Sequence, residues 1–80
     1  MPQYYRSGTE PLDEILRKIG TNLRNERAKR SLTQKQLSEL TGIAQASISS
    51  FENGRLDSQI STLVKFAEAL EIPLAVLADS

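Results

Sequence analysis

The segment from Thr33 to Gly54, TQKQLSELTGIAQASISSFENG, holds two helix-length patterns divided by a single glycine. A chain punctuated in this way is committed to short helices that meet at a tight turn. Thr33 and Gln36 form a Thr-x-x-Gln capping box, which starts a helix by giving its free amides acceptors. Leu37 and Leu40 are expected to face inward, and Gly42 suits the left-handed residue that closes a helix. Ile43 is expected to plug the turn. A further helix then runs from about Gln45 to Glu52 and ends at Asn53-Gly54.

That helix has an unusual outer face. At about 100° per residue, Ala44, Ile48 and Phe51 share one apolar arc, while Gln45, Ala46, Ser49, Ser50 and Asn53 point the other way. Serine competes for backbone hydrogen bonds and is a poor choice for a helix interior. A face selected for solubility alone would carry Glu, Lys and Arg. Short side chains instead let a helix approach base edges in a DNA major groove, where glutamine pairs bidentately with adenine and an alanine methyl meets a thymine methyl. A plain surface helix that happens to carry serines is the alternative on these residues alone.

Upstream, Pro11 opens the longest helical pattern, which reaches about Arg30. Thr9 or Glu10 precedes the proline, and Asp13 and Glu14 suit the positive end of the helix dipole. Leu12, Ile15, Leu16, Ile19 and Leu23 form an apolar stripe at helical spacing. Arg27 falls on that stripe, so it either meets a buried partner or snorkels to water. Gly20 weakens the helix by about 1 kcal/mol relative to Ala, a cost that close packing would explain.

Downstream, Asp57 or Ser58 starts a fourth helix with Ile60, Leu63, Val64, Ala67 and Leu70 on one stripe. Pro73 breaks it. PLAVLADS is expected as a last short helix, with a terminal strand as the alternative, because so short a segment shows no decisive periodicity. Residues 1–10, MPQYYRSGTE, lack periodicity and are expected to be a flexible arm, leaving 11–80 as the folded domain.

Eighty residues bury only a modest core, and with no cysteine or histidine no disulfide or thiolate metal site reinforces it. No enzyme, cofactor or metal is expected: the chain has no glycine-rich phosphate loop and no paired carboxylates in a plausible pocket. No apolar run approaches the ~20 residues of a membrane span, so a cytoplasmic chain without a membrane partner is expected. The net charge is zero, yet residues 1–35 carry +4 and residues 36–80 carry −4. The positive part lies directly before the two short helices, where it can attract phosphates.

Thr33-Gln34-x-x-Leu37-Ser38-x-x-x-Gly42-Ile43-x-x-x-x-Ile48-Ser49-x-Phe51-Glu52-Asn53-Gly54 closely resembles the helix-turn-helix of the Cro and phage-repressor (XRE-type) family. LRNERAKRSLTQ resembles the end of that family's first helix, and ISTLVKFAEALEIPLAVL its fourth and fifth. The resemblance spans about residues 12 to 78 and implies an all-α, lambda-repressor-like bundle of five helices, whose third helix enters the major groove. Carried over by position, Gln45, Ala46 and Ser50 would read base edges, with Ser49 adjacent. Gln34 would bind a phosphate at a helix N-terminus, and Arg55 would make a further backbone contact. Arg24, Lys29, Arg30 and Lys35 are expected near the same face, and Ser47 and Asn53 complete the expected backbone set. The resemblance also pairs Arg27 with Glu52 as a structural salt bridge.

Three positions depart from the family pattern: Ser38 stands where alanine is usual, Ala44 where Ser or Thr would cap the third helix, and Ser58 where proline is frequent. The function so implied is a sequence-specific DNA-binding regulator, most simply a repressor, acting as a homodimer on palindromic double-stranded DNA. Leu74, Val76 and Leu77 are candidates for the dimer surface. An antitoxin of the HipB or HigA kind, bound to a toxin protein and regulating its own gene, fits the same residues. So does a restriction–modification controller.

Overall fold

The computed structural model describes residues 11–55 and 60–78, with side chains from Glu14 onward. Proline in a first helical turn loses nothing by lacking an N–H, and α1 runs from Pro11 to Lys29. It closes at a left-handed Ser31 (φ 55°). The Ser31 N–H donates to the Ala28 carbonyl at 2.9 Å and the Leu32 N–H to the Arg27 carbonyl at 3.2 Å, a Schellman closure that turns Leu32 back onto the core. After it come α2 (Gln34–Thr41), α3 (Gln45–Glu52), α4 (Ile60–Leu70) and α5 (Leu74–Ala78). The closure recurs after α4, where Glu71 is left-handed (φ 57°) and Ile72 donates to Ala67. Past Pro73 the chain is helix, not strand.

The core is built where the stripes converge. Leu23 of α1, Leu37 of α2, Ile48 and Phe51 of α3, Leu63, Phe66, Ala67 and Leu70 of α4 and Leu77 of α5 form one buried cluster. Phe51 and Phe66 meet edge to face with centroids 5.2 Å apart, a favoured geometry for aromatic pairs. Ile19, Leu32, Ile43, Ile72 and Leu74 pack partly against this cluster. Asn22 Nδ2 donates to the Leu77 carbonyl at 2.9 Å, tying the last helix to α1.

Several stripe residues fall outside the core. Leu40 is 59% exposed and Ile60 is 66% exposed, and Ile15 is 51% exposed. For Ile15 the reason is length: α1 has 19 residues and spans about 28 Å, whereas an eight-residue helix spans about 12 Å. Short partners cover the C-terminal part of α1 around Ile19 and Leu23 and leave Ile15 beyond them. On α2, Leu37 takes the central position and leaves Leu40 at the rim. Leu77 also corrects an expectation, since it is fully buried in its own chain's core and cannot form a dimer surface. The expected arm at 1–10, the side chain of Leu12 and the start of α4 at Asp57 or Ser58 lie outside the described residues.

Candidate nucleic-acid interface

The two short helices are held by local bonds that their sequences dictate. Thr33 Oγ1 accepts the Gln36 N–H at 3.0 Å, and Gln36 Oε1 accepts the Thr33 N–H at 2.8 Å, so both arms of the capping box are made. At the other end Gly42 is left-handed (φ 75°) and its N–H donates to the Ser38 carbonyl, a conformation that strains any residue with a Cβ. Thr41 Oγ1 donates to the Leu37 carbonyl at 2.8 Å and accepts the Ile43 N–H at 3.1 Å. That hydroxyl locks the turn and sets Ile43 against the core.

Helix α3 starts less securely. Ala44 has an extended backbone (φ −57°, ψ 139°) and makes no side-chain cap bond. Serine fits those dihedrals and would accept an orphan N–H of the first turn. Ala44→Ser is therefore expected to stabilise the domain by about 1 kcal/mol, raising Tm by about 4–8 °C. A melting curve with an unchanged or lower Tm would contradict this.

The outward side of α3 is graded. Gln45 and Ala46 are exposed, Ser47, Ser49 and Ser50 are half-buried, and Asn53 and Arg55 are again exposed. Ile48, Phe51 and Glu52 point inward and are buried. The first turn of α3 is thus the most prominent part of this face and carries no formal charge. Lys35 is exposed on α2.

Behind that face lies a network centred on one carboxylate. Glu52 is 3% exposed. Arg27 Nε donates to its Oε2 at 2.7 Å and Arg27 Nη2 to its Oε1 at 3.0 Å, the bidentate fork that suits guanidinium to carboxylate. Arg27 Nη1 also donates to the Leu32 carbonyl at 2.7 Å. Gln34 Nε2 donates to Glu52 Oε1 at 3.1 Å, and Arg24 Nε lies 3.8 Å from that oxygen. Burial pushes the Glu52 carboxyl up, but hydrogen bonds from Arg27 and Gln34 and the charges of Arg27 and Arg24 outweigh it, holding the group below its ordinary value. The Arg27 guanidinium is raised in turn, chiefly by its bond to Glu52.

Five of the residues expected at phosphates, Arg24, Lys29, Arg30, Gln34 and Asn53, bond within the protein. One amide proton of Gln34 belongs to Glu52. Arg24 Nη2 donates to Asn53 Oδ1 at 3.2 Å, so Arg24 bridges α1 to the end of α3. Lys29 Nζ and Arg30 Nη1 reach Glu26 at 2.8 and 3.0 Å, and this pairing, Lys29 first, lowers the Glu26 carboxyl. The spacings i,i+3 and i,i+4 signal such pairs, whereas the Arg24–Asn53 contact has no local signal. Each group of two cations and one carboxylate retains one net positive charge, and the group around Glu52 joins α1 to α3. Among the described residues, no three Asp or Glu side chains are grouped to hold a metal ion, and no helix is long and apolar enough to cross a membrane.

The helix-turn-helix family model HTH_3 matches residues 23–77. HigA2, a candidate antitoxin of Mycobacterium tuberculosis (strain ATCC 25618 / H37Rv), is 49% identical over 49 residues, covering 60% of this chain and 48% of that protein. The chain thus spans about half the length of that curated relative. Among solved structures, the restriction–modification controller protein C.AhdI from Aeromonas hydrophila superimposes with a TM-score of 0.75 at 31% identity, covering 78% of this chain and 94% of that one. An HTH_3 family transcriptional regulator from Vibrio cholerae gives a TM-score of 0.79 at 29% identity, covering 82% of this chain and 37% of that one.

Proposed function

The chain belongs to the helix-turn-helix family HTH_3, and we propose that it binds double-stranded DNA sequence-specifically as a transcription regulator, with α3 in the major groove. The observation that carries this reading is the outer face of α3: exposed Gln45 and Ala46 at its first turn, with short, uncharged, half-buried serines behind them. Short neutral groups admit the helix to base edges, while charged groups on neighbouring elements meet the phosphates. Gln45 and Ala46 read bases, with Ser49 and Ser50 close behind. Lys35, Arg55 and the net positive clusters around Glu26 and Glu52 attract the backbone, as do Gln34, Ser47 and Asn53.

One such domain reads a short half-site, so a dimer on a two-fold symmetric operator is part of the proposal. Val76, 37% exposed, stays a candidate for the dimer surface, and Leu74 contributes its exposed part. Regulation by repression follows if the operator overlaps a promoter. The likeness to the HigA2 antitoxin candidate supports a second partner, a toxin protein, bound by the same chain. Co-expression with the product of an adjacent gene tests that part, and a partner that elutes separately removes it.

Selection from a randomised DNA pool tests the main reading. The expected outcome is an enriched sequence with two-fold symmetry and half-sites about 34 Å apart, or a multiple of that. A pool without enrichment contradicts sequence-specific binding, and a single unsymmetrical site contradicts the dimer.

A further inference from the structure

We infer that Arg24 serves DNA binding as a positioning residue: its guanidinium fixes the side-chain amide of Asn53 so that the Nδ2 protons face the nucleic acid. This rests on the DNA-binding reading above and names a role within it. A guanidinium has only donors, so the atom it bonds at 3.2 Å on Asn53 is the carbonyl oxygen Oδ1. With Oδ1 taken by Arg24, the Nδ2 protons of this exposed residue are left to donate elsewhere, and the acceptor assigned to them is a phosphate. Asparagine amides commonly donate to phosphate oxygens, and such contacts set the register of a protein on the duplex.

Arg24 also has an ion-pair contact through the Nε on the same side of its guanidinium. Its Nε lies 3.8 Å from Glu52 Oε1, the oxygen that also accepts from Arg27 and Gln34. The buried carboxylate therefore anchors a chain of contacts from Glu52 through Arg24 to Asn53 that joins α1 to the end of α3. One fork spanning two acceptors needs a planar guanidinium. Lysine carries the same charge as a single point without the fork. The contrast between charge and shape separates positioning from a plain phosphate contact, in which only the charge matters.

Four variants of the full chain, Arg24→Lys, Arg24→Ala, Asn53→Ala and the Arg24→Lys/Asn53→Ala double, test this against a fluorescein-labelled duplex taken from the random-pool selection. Arg24→Lys is expected to weaken binding about tenfold with the salt slope of log K unchanged, and Asn53→Ala in that background is expected to cost nothing more. In the free protein, Arg24→Lys is expected to shift the Asn53 Nδ2 proton resonances while those of buried Leu23 and Ile48 stay in place. Wild-type affinity in Arg24→Lys, with the salt slope falling by about one only in Arg24→Ala, would make Arg24 a simple phosphate contact and overturn the inference. So would losses that multiply in the double variant. If the wild-type protein binds the selected and a scrambled duplex equally, the DNA reading fails. If instead the Asn53 resonances ignore Arg24→Lys while selective binding persists, the positioning role alone fails.

Discussion

Glu52→Ala is expected to remove about 3–5 kcal/mol of folding stability, because it strands Arg27 in the interior without its counter-charge. A domain of this length has on the order of 4–12 kcal/mol in total, so this single change brings it close to unfolding. Arg27 would keep only the Leu32 carbonyl, and Gln34 would lose its acceptor. Urea unfolding at neutral pH measures the loss, and a cost under about 1 kcal/mol would mean that Arg27 escapes to water. Replacing both partners, as Arg27→Met/Glu52→Leu, is expected to recover most of the stability, since apolar groups of similar size restore packing without desolvating charge. That variant should still bind DNA poorly, because Gln34 and Arg24 lose the carboxylate that orients them.

The same carboxylate gives stability a pH dependence of known sign. Its folded-state pKa is depressed below the ordinary value of 4.5. The stabilisation is therefore fully present above the unfolded-state value and is lost as pH falls through the folded-state one. Wild-type stability is expected to decline below about pH 4.5, and the Arg27→Met/Glu52→Leu variant should decline less over the same range.

Gly20→Ala is the second large effect, and its sign runs against helix propensity. Alanine in mid-helix is normally worth about 1 kcal/mol over glycine. Here a Cβ would collide with the Phe51 carbonyl oxygen and stand 2.9 Å from that of Glu52. Those are backbone atoms at the end of α3, which a side-chain rotation cannot clear. Overpacking of this kind costs about 1–3 kcal/mol and occasionally more. A net loss of about 2 kcal/mol is expected, together with weaker DNA binding, because the displaced atoms carry Glu52 and Asn53. A rise in Tm would show that α1 and α3 sit further apart than the structure places them.

How far the molecule was legible depended on the range of the contacts. The Thr33–Gln36 box and the Gly42 turn are made by neighbours in sequence, so residue types alone announce them. Pro73 and the stripe of α4 likewise mark where helices stop and face. Leu40, Ile15 and Ile60 mislead because a stripe records periodicity but not how much of it the neighbouring helices cover. Arg27 stood out on its apolar stripe, yet only the family resemblance supplied Glu52, 25 residues away. The Arg24–Asn53 and Gln34–Glu52 bonds span 29 and 18 residues and exist only once α1, α2 and α3 have packed. Lys29 and Arg30 stand at the i,i+3 and i,i+4 spacings from Glu26 that make such pairs.

If α3 reads base edges through Gln45, repeating the random-pool selection with Gln45→Ala changes the enriched sequence. The expected site is unchanged except at one base pair of each half-site, where preference relaxes by about 1–3 kcal/mol. Equal weakening on the selected site and on random DNA, with the same sequence enriched, would contradict it.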